Sequence, residues 1–242
     1  MWGRSQRYIS PGGPFWALYA DMAKQHHLLI AGETGSGKSV VINGIIATCL
    51  LHTPDKAGFI LIDPKRVELV QYKSCPHTLR YASEPDDMID ALQSALDLIE
   101  QRYRVMQAQG SRSYDGGDVY VIIDELADLM TTDRRRVQPL IQRICQIGRA
   151  AKVHVIAATQ CPLAQVIPTP IKVNFSAVVG LHTATAQHSR NILERTGCEL
   201  LPNYGQGFYK TPSGTTLYKI PMYTDAQLAE LVTWWTSNRC LC

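Results

Sequence analysis

Eight residues, Gly32-Glu33-Thr34-Gly35-Ser36-Gly37-Lys38-Ser39, stand between two apolar runs and constrain this chain more than any other feature. The upstream run, His27-Leu28-Leu29-Ile30-Ala31, reads as a buried strand, and Val40 to Leu51 reads as an apolar helix. A strand that turns through glycines into a helix start aims successive backbone N–H groups, and the positive end of the helix dipole, at one point. Such a point suits phosphate. Lys38 adds a charge there for β- and γ-phosphates, and the Ser39 hydroxyl can hold Mg²⁺. The stretch Gly32 to Val40 is the expected cradle of a nucleoside triphosphate, with ATP and GTP both open on this pattern alone.

Val119-Tyr120-Val121-Ile122-Ile123 is a continuous β-branched and apolar run that suits a strand covered on both faces, and it ends in Asp124-Glu125. In an open parallel sheet ligands sit at the carboxyl ends of strands, which places both acids beside the loop after Ala31. Asp124 is expected to hold the Mg²⁺ shell and Glu125 to orient and deprotonate water. A Glu at that position argues for hydrolysis, because a kinase must keep water from the γ-phosphate. A competing reading makes one of the two acids a helix cap. A third run, Val153 to Thr159, ends in Thr159-Gln160, polar groups placed to touch the γ-phosphate or the attacking water.

Composition sets the frame for these motifs. The 242 residues, 45% of them apolar, suffice for a packed core, and βα alternation without a low-complexity linker favours one α/β domain. A lead over residues 1–26, with a turn at Pro11-Gly12-Gly13-Pro14, precedes a domain over 27–242. Within it Gly58 to Asp63 is a second strand, Asp86 to Gln109 a long amphipathic helix, and Arg134 to Ala151 a helix before the third strand. Gln107 to Asp118 reads as a Gly-rich loop. Phe208 to Lys210 and Thr215 to Met222 pair as a hairpin around Thr211-Pro212-Ser213-Gly214, followed by a helix from Asp225 to about Asn238 whose Trp234-Trp235 pair suits packing. A net charge of +3 is nearly neutral, so any nucleic-acid contact must be local. The seven Cys show no paired zinc spacing and read as reduced cytosolic thiols, and no stretch approaches 18 apolar residues.

Taken together, several motifs in order resemble the FtsK/SpoIIIE family of DNA translocases. They are His27 to Val40, Ile62-Asp63-Pro64-Lys65 with Glu68-Leu69, Pro76-His77, Ile123 to Met130, Arg149-Ala150-Ala151, Ala158-Thr159-Gln160 with Pro162, Ser189 to Leu193, and Gly205 to Tyr209. The resemblance implies a RecA-like P-loop NTPase with a mostly parallel central sheet flanked by helices, plus the C-terminal β-hairpin and helix. It further implies a cytoplasmic hexameric ring around double-stranded DNA that spends ATP to move along it. Residue by residue, Lys38 and Ser39 would bind ATP and Mg²⁺, Asp124 the metal, Glu125 the water and Gln160 the γ-phosphate. Arg149 would be an arginine finger offered to a neighbouring subunit, and Lys172 and Arg190 match basic positions in the family's channel loops. Cys161 stands where the family has Arg, which leaves one expected DNA contact without its charge. The loop before the Asp124 strand is also shorter than in the chromosomal translocases.

Three functions fit these features. The first is a duplex-DNA pump for chromosome segregation or for conjugative or mobile-element transfer. The second is an ATPase of the same family powering protein secretion, and the third a scaffold that binds ATP without hydrolysing it.

Overall fold

The apolar runs are uninterrupted because both faces of the strands that they form are covered. The structure, a computed structural model, describes residues 22, 24–160 and 167–237. One sheet holds eight strands: β1 (Leu28–Ala31), β2 (Ala57–Ile62), β3 (Thr78–Ala82), β4 (Asp118–Ile123), β5 (Val153–Thr159), β6 (Ala177–Gly180), β7 (Gln206–Thr211) and β8 (Gly214–Lys219). Their order is β3-β2-β4-β5-β1-β6-β7-β8. The first six in that order are parallel, and β7 and β8 continue the sheet antiparallel. The C-terminal hairpin is therefore the edge of the main sheet, not an appendage to it.

Alternation sorts each strand between two cores. Leu29 and Ala31 of β1, with Val121 and Ile123 of β4, face helices α2 (Pro85–Gln109), α3 (Leu126–Thr132) and α4 (Arg134–Ile147). Leu28 and Ile30, with Tyr120 and Ile122, face α1 (Lys38–His52) and α7 (Asp225–Ser237). Two short helices, α5 (Thr169–Lys172) and α6 (Ala186–Leu193), flank β6. Trp235 of α7 is buried edge-on to His77 at 4.5 Å, whereas its neighbour Trp234 is half exposed.

Several expectations need adjustment. The helix expected over Arg134 to Ala151 stops at Ile147. Beyond it the chain turns sharply into β5, with Lys152 in the left-handed region at φ 54°. The Gly148 carbonyl accepts from Val153 N–H at 3.0 Å. A Cβ on Gly148 would lie 2.4 Å from the Val153 carbonyl oxygen, so only glycine lets the helix end and the strand start approach this closely. The edge strand β3 and the four-residue β6 were not expected. The Pro11 to Pro14 turn, Cys161 and Pro162, Cys240 and Cys242 lie outside the described residues. Among the described residues Cys49, Cys75, Cys145 and Cys198 are buried and not in disulfides. No helix there is long and apolar enough to cross a membrane.

His27, at the entry to β1, locks the central strands together. Its Nδ1 accepts from Val155 N–H at 3.0 Å, so its Nε2 carries the proton donated to the Cys145 carbonyl at 2.9 Å. Burial, with His154 nearby, lowers its pKa from 6.5 to about 4. The fold thus prefers the neutral ring, and this contribution is complete above about pH 6.5 and lost as pH falls toward about 4. We expect the gap in unfolding free energy between wild type and His27→Gln to narrow by about 3 kcal/mol over that window, measured by urea titration at each pH. A gap independent of pH would mean that His27 titrates normally in the fold.

Candidate nucleotide site

Parallel register brings three strand ends together. Ala31 of β1 pairs with Thr159 of β5, and Ile123 of β4 pairs with Ala157 of β5, so the loops after all three strands open on the same edge. Strand β5 lies between the other two, which places Gln160 between the glycine loop and the acids.

The glycine loop is pinned on both sides. Gly32 N–H donates to the Thr159 carbonyl at 3.3 Å and Glu33 N–H to the His182 carbonyl at 3.0 Å. A Cβ on Gly32 would lie 2.6 Å from Ser36 Oγ and 2.7 Å from Leu181 Cβ. Gly35 and Gly37 take left-handed backbone, with φ 78° and 98°, and Gly37 leads into α1. The Lys38 ammonium is buried and donates to the carbonyls of Gly32 and Glu33 at 2.9 and 2.8 Å. Burial lowers its pKa. Ser39 and Val40 follow in the first turn of α1, both half-buried. Thr34 Oγ1 donates to Gln160 Oε1 at 2.8 Å, which joins the loop tip to the end of β5. Glu33 reaches away from the cradle, accepting from Ala184 N–H, with His188 Nδ1 at 3.8 Å.

Across the cleft, Glu125 is 2% exposed and its carboxylate accepts from Gln160 N–H through both oxygens at 3.2 Å. The same carboxylate accepts from Ala127 N–H at 3.3 Å, so the helix-cap reading is realised alongside the contact with Gln160. Lys65 Nζ lies 3.5 Å from it. Asp124 sits on the other side of the strand end, and burial, followed by the charges of Asp63, Glu68 and Glu125, pushes its pKa up to about 7. Asp63 ends the neighbouring strand β2; it is fully buried, and its Oδ1 has no hydrogen-bond partner. Carboxylates crowded in this way leave negative charge that a divalent cation would offset.

The other expected residues lie elsewhere. Arg149 is exposed in the turn before β5, at the strand's amino end. It is separated from Gln160 by the length of β5, roughly 20 Å for a seven-residue strand. That distance keeps it from this chain's own cleft. The turn is braced by the buried Arg102, which donates to the Ala151 and Lys152 carbonyls at 2.6 and 3.1 Å and lies 4.4 Å from the Tyr114 ring. Lys172 ends α5 and pairs with Glu194 at 3.2 Å, and Lys210 of β7 pairs with the same carboxylate. Arg190 is exposed on α6 one turn before Glu194. Lys65, Lys210 and Glu194 had no expected role, because each meets its partner only through tertiary contact.

A phosphate-type glycine loop, a strand inserted between it and the acid-bearing strand, and a largely parallel sheet define a RecA-like P-loop ATPase domain. A family model described as FtsK/SpoIIIE family matches residues 14–120 and 117–164, and the chain belongs to that family. Over 211 residues it is 38% identical to a protein named DNA translocase FtsK from Streptococcus pneumoniae, covering 78% of this chain and 28% of the relative. The namesake from Rickettsia prowazekii is 34% identical over 88% of this chain and 35% of its own length. This chain thus spans about a third of the curated relatives that it matches. Among solved structures, the pCW3 conjugation coupling protein TcpA with ATPγS superposes with a TM-score of 0.77 at 24% identity, over 89% of this chain and 66% of that one. The cytoplasmic domain of the Thermomonospora curvata type VII secretion ATPase EccC superposes at 0.74 with 20% identity, over 87% and 28%. Both likenesses concern the fold.

The two sides of the cleft separate by substitution. Lys38→Ala is expected to abolish tight ATP binding, whereas Glu125→Gln is expected to keep binding and lose turnover, since it removes the carboxylate that would take the water proton and leaves the cradle intact. Equilibrium binding of a fluorescent ATP analogue and steady-state phosphate release check both. Near-wild-type hydrolysis by Glu125→Gln would remove Glu125 from the chemistry.

Proposed function

We propose that this domain hydrolyses ATP to drive movement along double-stranded DNA, working in the cytoplasm as a ring-shaped hexamer. Residues 27–242 form the motor, with 1–26 a lead into it. The observation that carries the reading is the buried Glu125 carboxylate, which accepts from Gln160 N–H on the strand between the acids and the glycine loop and is close enough to act on the Lys38 charge. Gly32 to Val40 cradle the phosphates through backbone N–H groups, Lys38 leaves the loop carbonyls for the β- and γ-phosphates, and Gln160 meets the γ-phosphate. Glu125 takes the proton of the attacking water. Ser39 and Asp124 would hold Mg²⁺, a fit supported by the uncompensated acids around Asp124. The cation would neutralise charge developing on the phosphates.

Duplex DNA as the track is supported by relatives named DNA translocases at 34–38% identity, and the motor would serve chromosome segregation or conjugative or mobile-element transfer, the latter in keeping with the fold likeness to a conjugation coupling protein. The fold likeness to a type VII secretion ATPase favours the second reading, a protein-export motor. ATPase rate with and without duplex DNA separates them: we expect DNA to raise it several-fold, and a rate indifferent to DNA would favour export. Lys172 and Arg190 would contact backbone phosphate without reading sequence. Replacing both by Ala should flatten the slope of log Kd against log salt, because fewer counterions are released; an unchanged slope would return both to the ordinary surface.

Arg149, remote from its own site, would serve as a finger for the next subunit's ATP. Arg149→Ala should then lose on the order of 10³-fold in rate with ATP affinity little changed. Mixing it with Lys38→Ala subunits should restore some activity at junctions that pair an intact Lys38 with an intact Arg149. A mixture no more active than its parents would count against action in trans.

A further inference from the structure

The loop after β2 carries a cation to the reacting carboxylate, and the loop's build shows how. Asp63, fully buried at the strand end, accepts Leu69 N–H on Oδ2 at 3.0 Å and Arg66 N–H on its backbone carbonyl at 3.2 Å. Arg66 takes left-handed backbone at φ 57°, which costs a non-glycine residue on the order of 1 kcal/mol. Its guanidinium pairs with Glu84, the residue immediately before α2. A tight turn anchored at Asp63, at Leu69 and at α2 leaves Lys65 little freedom. Its Nζ stands 3.5 Å from Glu125 Oε2 and 3.8 Å from Asp128 Oδ2. The Lys65 side chain is 38% exposed and Glu125 is 3% exposed, so the ammonium lies at the mouth of the cleft and the carboxylate at its floor.

We infer that Lys65 is a positioning residue for Glu125, holding the carboxylate turned into the cleft, where it can receive the proton of the attacking water. This rests on the reading of Glu125 as the base. In that step the water oxygen bonds to the γ-phosphorus, the bond to the ADP oxygen breaks with its electron pair staying on ADP, and the water proton passes to Glu125. Gln160 N–H and Ala127 N–H fix the carboxylate from the protein side, and Lys65 supplies the one restraint from the open side among the contacts described. Freed of Lys65, Glu125 keeps its two backbone donors but loses the contact that restrains its carboxylate from the open side.

The test is kcat against nucleotide affinity in the full chain. Lys65→Met keeps the aliphatic stem and removes the charge; it should lower kcat by about 10- to 100-fold, the usual range for an outer-shell partner of a catalytic group, with ATPγS affinity within about threefold of wild type. Lys65→Arg, which keeps the charge, should recover most of the rate. Asp128→Asn, which removes the second partner of Lys65, should remain close to wild type. Loss of affinity in step with kcat would make Lys65 a phosphate ligand and overturn the inference. So would an Asp128→Asn defect equal to that of Lys65→Met, which would assign the effect to α3. Wild-type hydrolysis with an equally fast Lys65→Met overturns the positioning role alone and leaves the ATPase reading standing.

Discussion

The parallel register of β1, β5 and β4 is the constraint on which the rest of this structure depends. Because Ala31 stands opposite Thr159 and Ile123 opposite Ala157, three strands end on one line and release three polar loops into one cleft. The strands themselves are covered on both faces, so nearly all of their backbone groups are satisfied within the sheet. The first free N–H beyond β5 is that of Gln160, and it goes to Glu125. One backbone contact thereby sets the spacing between the acid strand and the glycine loop, which Thr34 completes through the Gln160 side chain.

Electrostatics give the cleft its direction. Asp63, Glu68, Asp124 and Glu125 crowd one side, where the exposed Lys65 pairs with Glu125, and the buried Lys38 stands on the other. Burial and repulsion push the Asp124 pKa up to about 7, while Lys38, driven down by burial, satisfies its donors on the carbonyls of its own loop. Both groups are held in arrangements that triphosphate and a divalent cation would relieve. The far ends of the strands carry different chemistry. Arg149 sits in a turn braced by Arg102, and Lys172 and Lys210 share Glu194, all at a distance from the cleft. Helix α6 links the two regions, since its leading turn meets Glu33 of the glycine loop and its end carries Glu194.

Much of this was legible in the sequence, and the reasons are local. The run Val153 to Thr159 is a strand with the bounds that its apolar pattern marks, and Gly32 to Gly37 folds as the loop that its glycines require, leading into α1 at Lys38. Helix α2 ends at Gln109, where Gly110 takes left-handed backbone. What escaped depends on partners remote in sequence. Strand β3 alternates only weakly and exists because β2 lies beside it; β6 has four residues and is held between β1 and β7. Gly148 ends its helix through an approach to Val153 that no pattern within the helix announces. Lys65 was visible as part of a motif, but its ion pair spans 60 positions of chain and needs the β2–β4 pairing to form.

A crystal structure of the chain with ATPγS and Mg²⁺ tests the central claim most directly. The account predicts triphosphate along Gly32 to Ser39, the Lys38 ammonium moved from the Gly32 and Glu33 carbonyls to β- and γ-phosphate oxygens, and the Glu125 carboxylate still bonded to Gln160 N–H and facing the γ-phosphate. Nucleotide seated away from the glycine loop, or a Glu125 carboxylate turned from the γ-phosphate onto Ala127 N–H alone, would contradict it.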